Sequence, residues 1–530
     1  MISHASRRAS TWAALLLAAC AGCIAPQRPD DVLVLASGAD LESANPLVTT
    51  HPLSRQLQRY ALFVTLTRYD SALAQQPYFA RRWEFSSDRR ALTLSLAPDL
   101  HWHDGERTTA RDAAFTFLAA KDPATSYPRA AELIALDTAV AVDDTTLVLR
   151  FARALADLPP YLAELPLVPA HLLQTTPRAA LRSAAFNDAP VGNGPFAFAS
   201  RRRGARWSFA RNDRFPRSLG GPPALRGLTV AVVDEATTKF AGLASGELDM
   251  AGLSPLMVPL ARRDRTLEVL TYPVLFGTAL FFNTTRAPFD DARVRRAVAR
   301  SIDRQRIVDV ALAGFGTASA SPIPPDSPLA SGALATSDTS AADSLLDVAG
   351  WRRGTDGVRR RDGRAFDIEL LTLGGGDNVA EQLIQADLAA RGITLRVRQI
   401  EMGTFLTTAR ADDKRFDVLI AGVPGDLSSS YISALFDSRQ RGGTLDYTGF
   451  HTPALDSLLR AAFDAPTGQA QRQAWIAVQA ALDTLAPATW IYHARGVQGV
   501  SRRVRGARMD LRGELVNVHD WSLAPRGATR

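Results

Sequence analysis

Cys20 and Cys23 are the only thiols in the 530-residue chain, and C-x-x-C spacing can hold a metal or run redox chemistry. Their position argues otherwise. Arg7 and Arg8 precede a short apolar run, Trp12 to Ala19, which is too short to span a bilayer and has the layout of an export signal ending at Cys20. The body of the protein then has no cysteine to oxidise. His101 and His103 alternate, as residues on one face of a strand do, but no third ligand stands near them in a chain with eight histidines. They read as structural residues of a hairpin, and no metal or cofactor is expected. Neither G-x-S-x-G nor H-E-x-x-H occurs, so no catalytic residue is assigned. The remaining candidate is Asp426, the one acid in Val423 to Tyr431. It can cap a helix predicted over Ser429 to Phe436, or in a closed cleft it demands a cationic or hydrogen-bond-donating partner.

Charge excludes one class of partner. Lysine and arginine total 61 against 54 acids, a net +7, but the basic residues are scattered over helices and loops and only three are lysines. The stripe that tracks a phosphate backbone is missing, so no nucleic acid is expected. Hydrophobic residues at 46% and charged residues at 22% describe a globular chain long enough for more than one domain.

The elements that must position these residues follow from periodicity. Trp83 to Leu96 alternates about a polar turn, as two antiparallel strands do, and Asp104-Gly105 makes a second tight turn before a helix over Asp112 to Ala120. Val191-Gly192-Asn193-Gly194-Pro195-Phe196 is a turn in which the glycines permit conformations closed to other residues. Leu228 to Val233, Glu235 to Ala244 and Gly246 to Met250 make a β-α-β unit. Val294, Ala297, Val298 and Ile302 line one face of a helix capped by Asp290 or Asp291, leaving Arg293, Arg295, Arg296 and Arg300 mostly outward, and Asp303 caps the next helix. Beyond it, extended runs at Phe366 to Leu373, Ile393 to Ile400 and Phe416 to Gly422 alternate with helices. That predicts a parallel sheet whose strand ends carry two candidate loops, Gly374 to Asp377 and Val423 to Ser430.

Phe281-Phe-Asn-Thr-Thr-Arg-Ala-Pro-Phe-Asp-Asp, with the helix after it and Ser301-Ile-Asp-Arg304, resembles the second-lobe entry of the family 5 extracellular solute-binding proteins, the peptide and nickel receptors of ABC importers. Trp83-Glu-Phe-Ser-Ser-Asp, His103-Asp-Gly, Val191 to Phe196, Gly246-Glu-Leu-Asp and Ala341 to Trp351 are similar to further family segments in family order, from about Val32 to Trp521. The resemblance implies a two-lobed α/β periplasmic-binding fold with the ligand cleft between lobes. It divides the chain into a lipoprotein signal (1–19), a lipidated tether (20–31), a first lobe (32–272 and 493–530) with a hairpin-rich insert at about 50–185, and a second lobe (273–492). Leu17-Ala-Ala-Cys20 resembles a lipobox, with Cys20 acylated and Cys23 as the alternative. The function implied is capture of a small solute, most often a short peptide, for a membrane permease. Nickel or another solute, a scaffold or sensor role, and an exported hydrolase are the alternatives. By the same resemblance Asp426 pairs with a ligand's α-amino group, Asn45 of Asn45-Pro46-Leu47 lies by the cleft, and Tyr431 belongs to the Asp426 loop. Trp490 or Tyr492, on the strand returning to the first lobe, either stacks on the ligand or is buried in the sheet.

Overall fold

The computed structural model describes residues 29–49, 51–332, 336–374, 378–443, 445–466 and 468–525. The export segment, Cys20, Cys23 and residues 375–377 of the glycine loop lie outside the described residues.

Eleven strands join in one mixed sheet: β1 (Val32–Ser37), β2 (Phe196–Arg202), β3 (Arg206–Arg211), β4 (Gly227–Val232), β5 (Met250–Gly252), β6 (Leu267–Phe282), β7 (Gly316–Ala318), β8 (Asp367–Leu373), β9 (Thr394–Ile400), β10 (Val418–Pro424) and β11 (Ala488–Ser501). Their spatial order is β9-β8-β10-β6-β11-β5-β1-β4-β3-β2, with β7 alongside β11. The β-α-β unit forms around β1, which lies between β4 and β5 and pairs parallel with both, and helix Ala236–Ser245 makes the crossover. In the other half β8 pairs parallel with β9 and β10, and helices Val379–Ala389 and Met402–Arg410 cover the crossovers.

The buried core separates the chain into two lobes. The fully buried members of two apolar clusters all lie at or before Leu267 or from Val497 onward. The fully buried members of the other two all lie between Ala279 and Ile491. β6 and β11 run through both lobes side by side, and their register slips between Pro273 and Gly277, where Gly277 meets His493. A β-carbon on Gly277 would stand 2.9 Å from the His493 ring and 2.8 Å from Trp490, so only glycine lets the strands pass this closely.

The hairpin at Trp83 to Leu96 is strands Ala80–Phe85 and Ala91–Leu96, part of a four-stranded antiparallel sheet in the first lobe packed by helix Ala110–Lys121. Two expectations are corrected. Arg295 does not face outward: it is 3% exposed, and its guanidinium donates to the carbonyls of Leu485, Ala486 and Phe289. The arginine thus caps the end of helix Gln469–Leu485, whose last carbonyls have no partner within the helix. Gly192 and Gly194 are required for close approach rather than for a left-handed turn. Their absent β-carbons would stand 2.1 Å from Leu62 O and 2.5 Å from Ala61 O. Between them Asn193, fully buried, accepts from Val64 N–H and ties the turn to the same segment.

Candidate functional site

The C-terminal end of β10 faces the first lobe, and beyond it, at Leu427, Ser428 and Ser430, a cavity of about 1370 Å³ lies between the lobes. Its first-lobe wall includes Tyr69, Glu132, Leu155, Leu158 and Tyr161, and its second-lobe wall includes Leu427, Ser428, Ser430, Arg472 and Trp475. Arg153 and Asp464 close an ion pair of 2.5 Å from one wall to the other.

The loop leaving β10 is built around Asp426. Oδ1 accepts from Ser428 Oγ at 2.6 Å and Ser430 N–H at 2.9 Å, and Oδ2 accepts from Ser430 Oγ at 2.8 Å and Tyr431 N–H at 3.3 Å. Two of these donors are free amides at the start of helix Ser430–Phe436, so the carboxylate acts as its cap and is turned into its own loop at 9% exposure. Ser429 takes a left-handed conformation, φ 60°, to bring the loop round. Tyr431 is buried beside it and donates its hydroxyl to Pro322 O at 2.6 Å.

Opposite this loop the first lobe presents a buried set of charges. Arg55 and Arg59 stand four residues apart across helix Pro52–Leu57 and the turn after it, and both approach Glu164 Oε2, at 3.7 and 3.5 Å. Arg129 contacts the same oxygen and also donates from Nε to Glu132 Oε1 at 2.7 Å. Its Nη2 reaches across the lobe boundary to Ser428 Oγ at 3.3 Å, and that hydroxyl lies 3.0 Å from Glu132 Oε1. Burial alone would lower the affinity of Arg129 for its proton; Glu132, Glu164 and Asp426 outweigh burial and hold it charged. Burial would raise the Asp426 carboxyl, but Arg129 and the hydrogen bonds from Ser428 and Ser430 bring it below the usual range. Glu132 moves the other way: burial raises it, and Asp426 and Glu164 add to that against the pull of Arg129.

The remaining residues singled out in the sequence lie elsewhere. Asn45 is fully buried, bonded to Asn187 Oδ1 at 3.0 Å and closing its own turn by accepting from Leu47 N–H. Trp490 is 1% exposed in the second-lobe core, edge-on to Phe281 at 6.1 Å between ring centres. Tyr492 is half-buried against the neighbouring cluster. His103 contacts Gly194 O at 3.0 Å while His101 contacts Asp99 O, so the two rings serve separate backbone groups, and no metal-holding cluster occurs among the described residues. Arg129, Glu132, Tyr161 and Glu164 were not singled out by the sequence.

The profile of the family described as "Bacterial extracellular solute-binding proteins, family 5 Middle" matches residues 74–443. Protein XP55 of Streptomyces lividans is 27% identical over 463 residues, covering 85% of this chain and 82% of that protein. The dipeptide-binding protein of Escherichia coli is 23% identical over 512 residues, covering 90% of this chain and 92% of its own. Among solved structures, the oligopeptide-binding protein AppA of Bacillus subtilis, in complex with a nonapeptide, superposes with a TM-score of 0.78 at 22% identity, covering 94% of this chain and all of that one.

Proposed function

The chain belongs to the bacterial extracellular solute-binding proteins of family 5, and from that premise we propose that it captures a short peptide between its lobes outside the cytoplasm and delivers it to the permease of an ABC importer. The observation that carries the reading is the cavity of about 1370 Å³ between two separately cored lobes. A volume above the usual range of about 300–1,000 Å³ for a drug-sized ligand has room for several residues of extended chain. The relative in Escherichia coli is a dipeptide-binding protein, which supports the same class.

The lobes divide at 272/273 and 492/493, where β6 and β11 slip register beside Gly277. Closure about this pair of strands is a hinge motion. The export signal and Cys20 supply an acyl anchor, with 20–31 as the tether. Replacing Cys20 by alanine then abolishes incorporation of labelled fatty acid, and incorporation that moves to Cys23 identifies the other cysteine as the anchor. The protein acts as a receptor and not a hydrolase. Equilibrium dialysis of the purified chain against synthetic peptides of two to nine residues tests this: retained peptides are recovered chemically unchanged, and cleavage products in the protein compartment would contradict it.

A further inference from the structure

Three guanidiniums and three carboxylates meet behind the cleft wall, where Glu132 lines the cavity: Arg55, Arg59 and Arg129 with Glu132, Glu164 and Asp426. The set is formally neutral before any ligand arrives. Asp426 already accepts four hydrogen bonds from its own loop. The single proton of Ser430 Oγ serves Asp426 Oδ2, that of Ser428 Oγ serves Asp426 Oδ1, and Glu132 Oε1 is engaged by Arg129. Apart from Asp464 Oδ1, which is ion-paired with Arg153, two buried groups among the described cavity-wall residues are left without a protein hydrogen-bond partner: Glu132 Oε2, an acceptor, and Tyr161 OH, a donor. Both line the same cavity, and burial first and then the Glu132 carboxylate raise the Tyr161 phenol.

An ammonium brings three donors, no acceptor and a positive charge. Placed here it would leave a neutral buried cluster with one unbalanced cation, which low-dielectric surroundings disfavour. A secondary amide brings one N–H for an acceptor, one C=O for a donor on its opposite side, and no charge. The wall next to it carries Leu155, Ala156, Leu158 and Leu427, on which a small acyl group can lie.

We propose that the cleft recognises peptides whose amino terminus is blocked as an amide, with Glu132 and Tyr161 binding that amide and Arg129 supplying from within the protein the charge that a free terminus would bring. This rests on the peptide reading above. Arg129 is a positioning residue; Glu132 and Tyr161 touch the ligand.

The test is a competition between two pools of synthetic tri- to pentapeptides of identical sequences, one with free amino termini and one N-acetylated, offered to the purified full mature chain and read by native mass spectrometry. The expected result is enrichment of acetylated peptides by about tenfold or more, the scale of 1.4 kcal/mol of differential binding. Arg129→Gln removes the internal charge and shifts retention toward free amines, whereas Arg129→Lys keeps the acetyl preference. Should Arg129→Gln fail to fold, Tyr161→Phe still tests the assignment, because it lowers the ratio of acetylated to free-amine peptides retained; an unchanged ratio overturns the role of Tyr161. Preference of the unaltered chain for free amines overturns this inference and leaves the peptide receptor standing. Retention of neither pool overturns both.

Discussion

Glu164→Gln isolates the electrostatics of the cleft, because the substitution keeps the shape of the side chain and removes only its charge. The carboxylate is 1% exposed and has Arg55 at 3.7 Å, Arg59 at 3.5 Å and Arg129 in direct contact. At an effective dielectric of about 20, each pair at roughly 3.6 Å is worth about 4.6 kcal/mol of attraction. Repulsion among the three arginines and the cost of taking all four groups out of water offset most of that sum. Removing one partner of a buried pair costs about 3–5 kcal/mol, because the other is left uncompensated; here Arg55 and Arg59 lose the carboxylate they share, while Arg129 keeps Glu132. Guanidinium unfolding of the first lobe, followed by tryptophan fluorescence, is therefore expected to show a loss of about 3–5 kcal/mol for Glu164→Gln. Adding Arg55→Met, which restores the charge balance, returns part of it. The exposed pair Arg360–Asp356, 42% and 50% accessible, serves as the control, and its removal costs under about 1 kcal/mol. A loss below about 1 kcal/mol for Glu164→Gln would refute the reasoning, since it would mean that the three arginines do not depend on this carboxylate.

Gly192→Ala is expected to destabilise by about 1–3 kcal/mol or more in the same unfolding assay, because the new β-carbon meets a backbone oxygen, Leu62 O, at 2.1 Å and not a side chain that can turn aside. Arg295→Met leaves the carbonyls of Leu485, Ala486 and Phe289 without their donor, at about 1–3 kcal/mol for each group left unpaired, and speeds amide exchange at the end of helix Gln469–Leu485. His493 sits at the strand crossing, 4% exposed, with its ring 3.0 Å from Ser321 O, and burial lowers it from 6.5 to about 4 despite that bond and the pull of Asp326. The unfolded chain then binds a proton that the folded one refuses between those values. Stability is full above pH 6.5 and falls by about 3 kcal/mol on acidification to pH 4, a dependence that His493→Gln flattens in unfolding titrations against pH.

The two-lobed sheet was legible because its signals are local: apolar runs between helices, the Asp-Gly turn, and caps such as Asp291 and Asp303, each of which accepts the amide bond expected of it. The Asp426 loop was legible for the same reason, since a lone acid before a helix is a local pattern and the carboxylate does cap it. Arg295 was misplaced because helical periodicity assigns every arginine to the wet face, whereas the carbonyls it caps come from a helix end 190 residues away in sequence. The charge cluster failed to show for a related reason. Arg55 with Arg59 and Arg129 with Glu132 have the spacing of ordinary exposed helix pairs, and only the packing of separate segments against Glu164 buries them together. Gly192 and Gly194 were recognised as special, but a sequence does not distinguish a glycine needed for its backbone angle from one needed to let Leu62 pass.

The central claim, that the space between the lobes holds a peptide, is tested most directly by native mass spectrometry of the mature chain purified without denaturation. The expected result is a ladder of adducts whose masses match short peptides and whose occupancy falls when Ala156 on the cavity wall is replaced by tryptophan. A bare protein mass that persists after incubation with peptide pools, or a single adduct of metal mass, would contradict it.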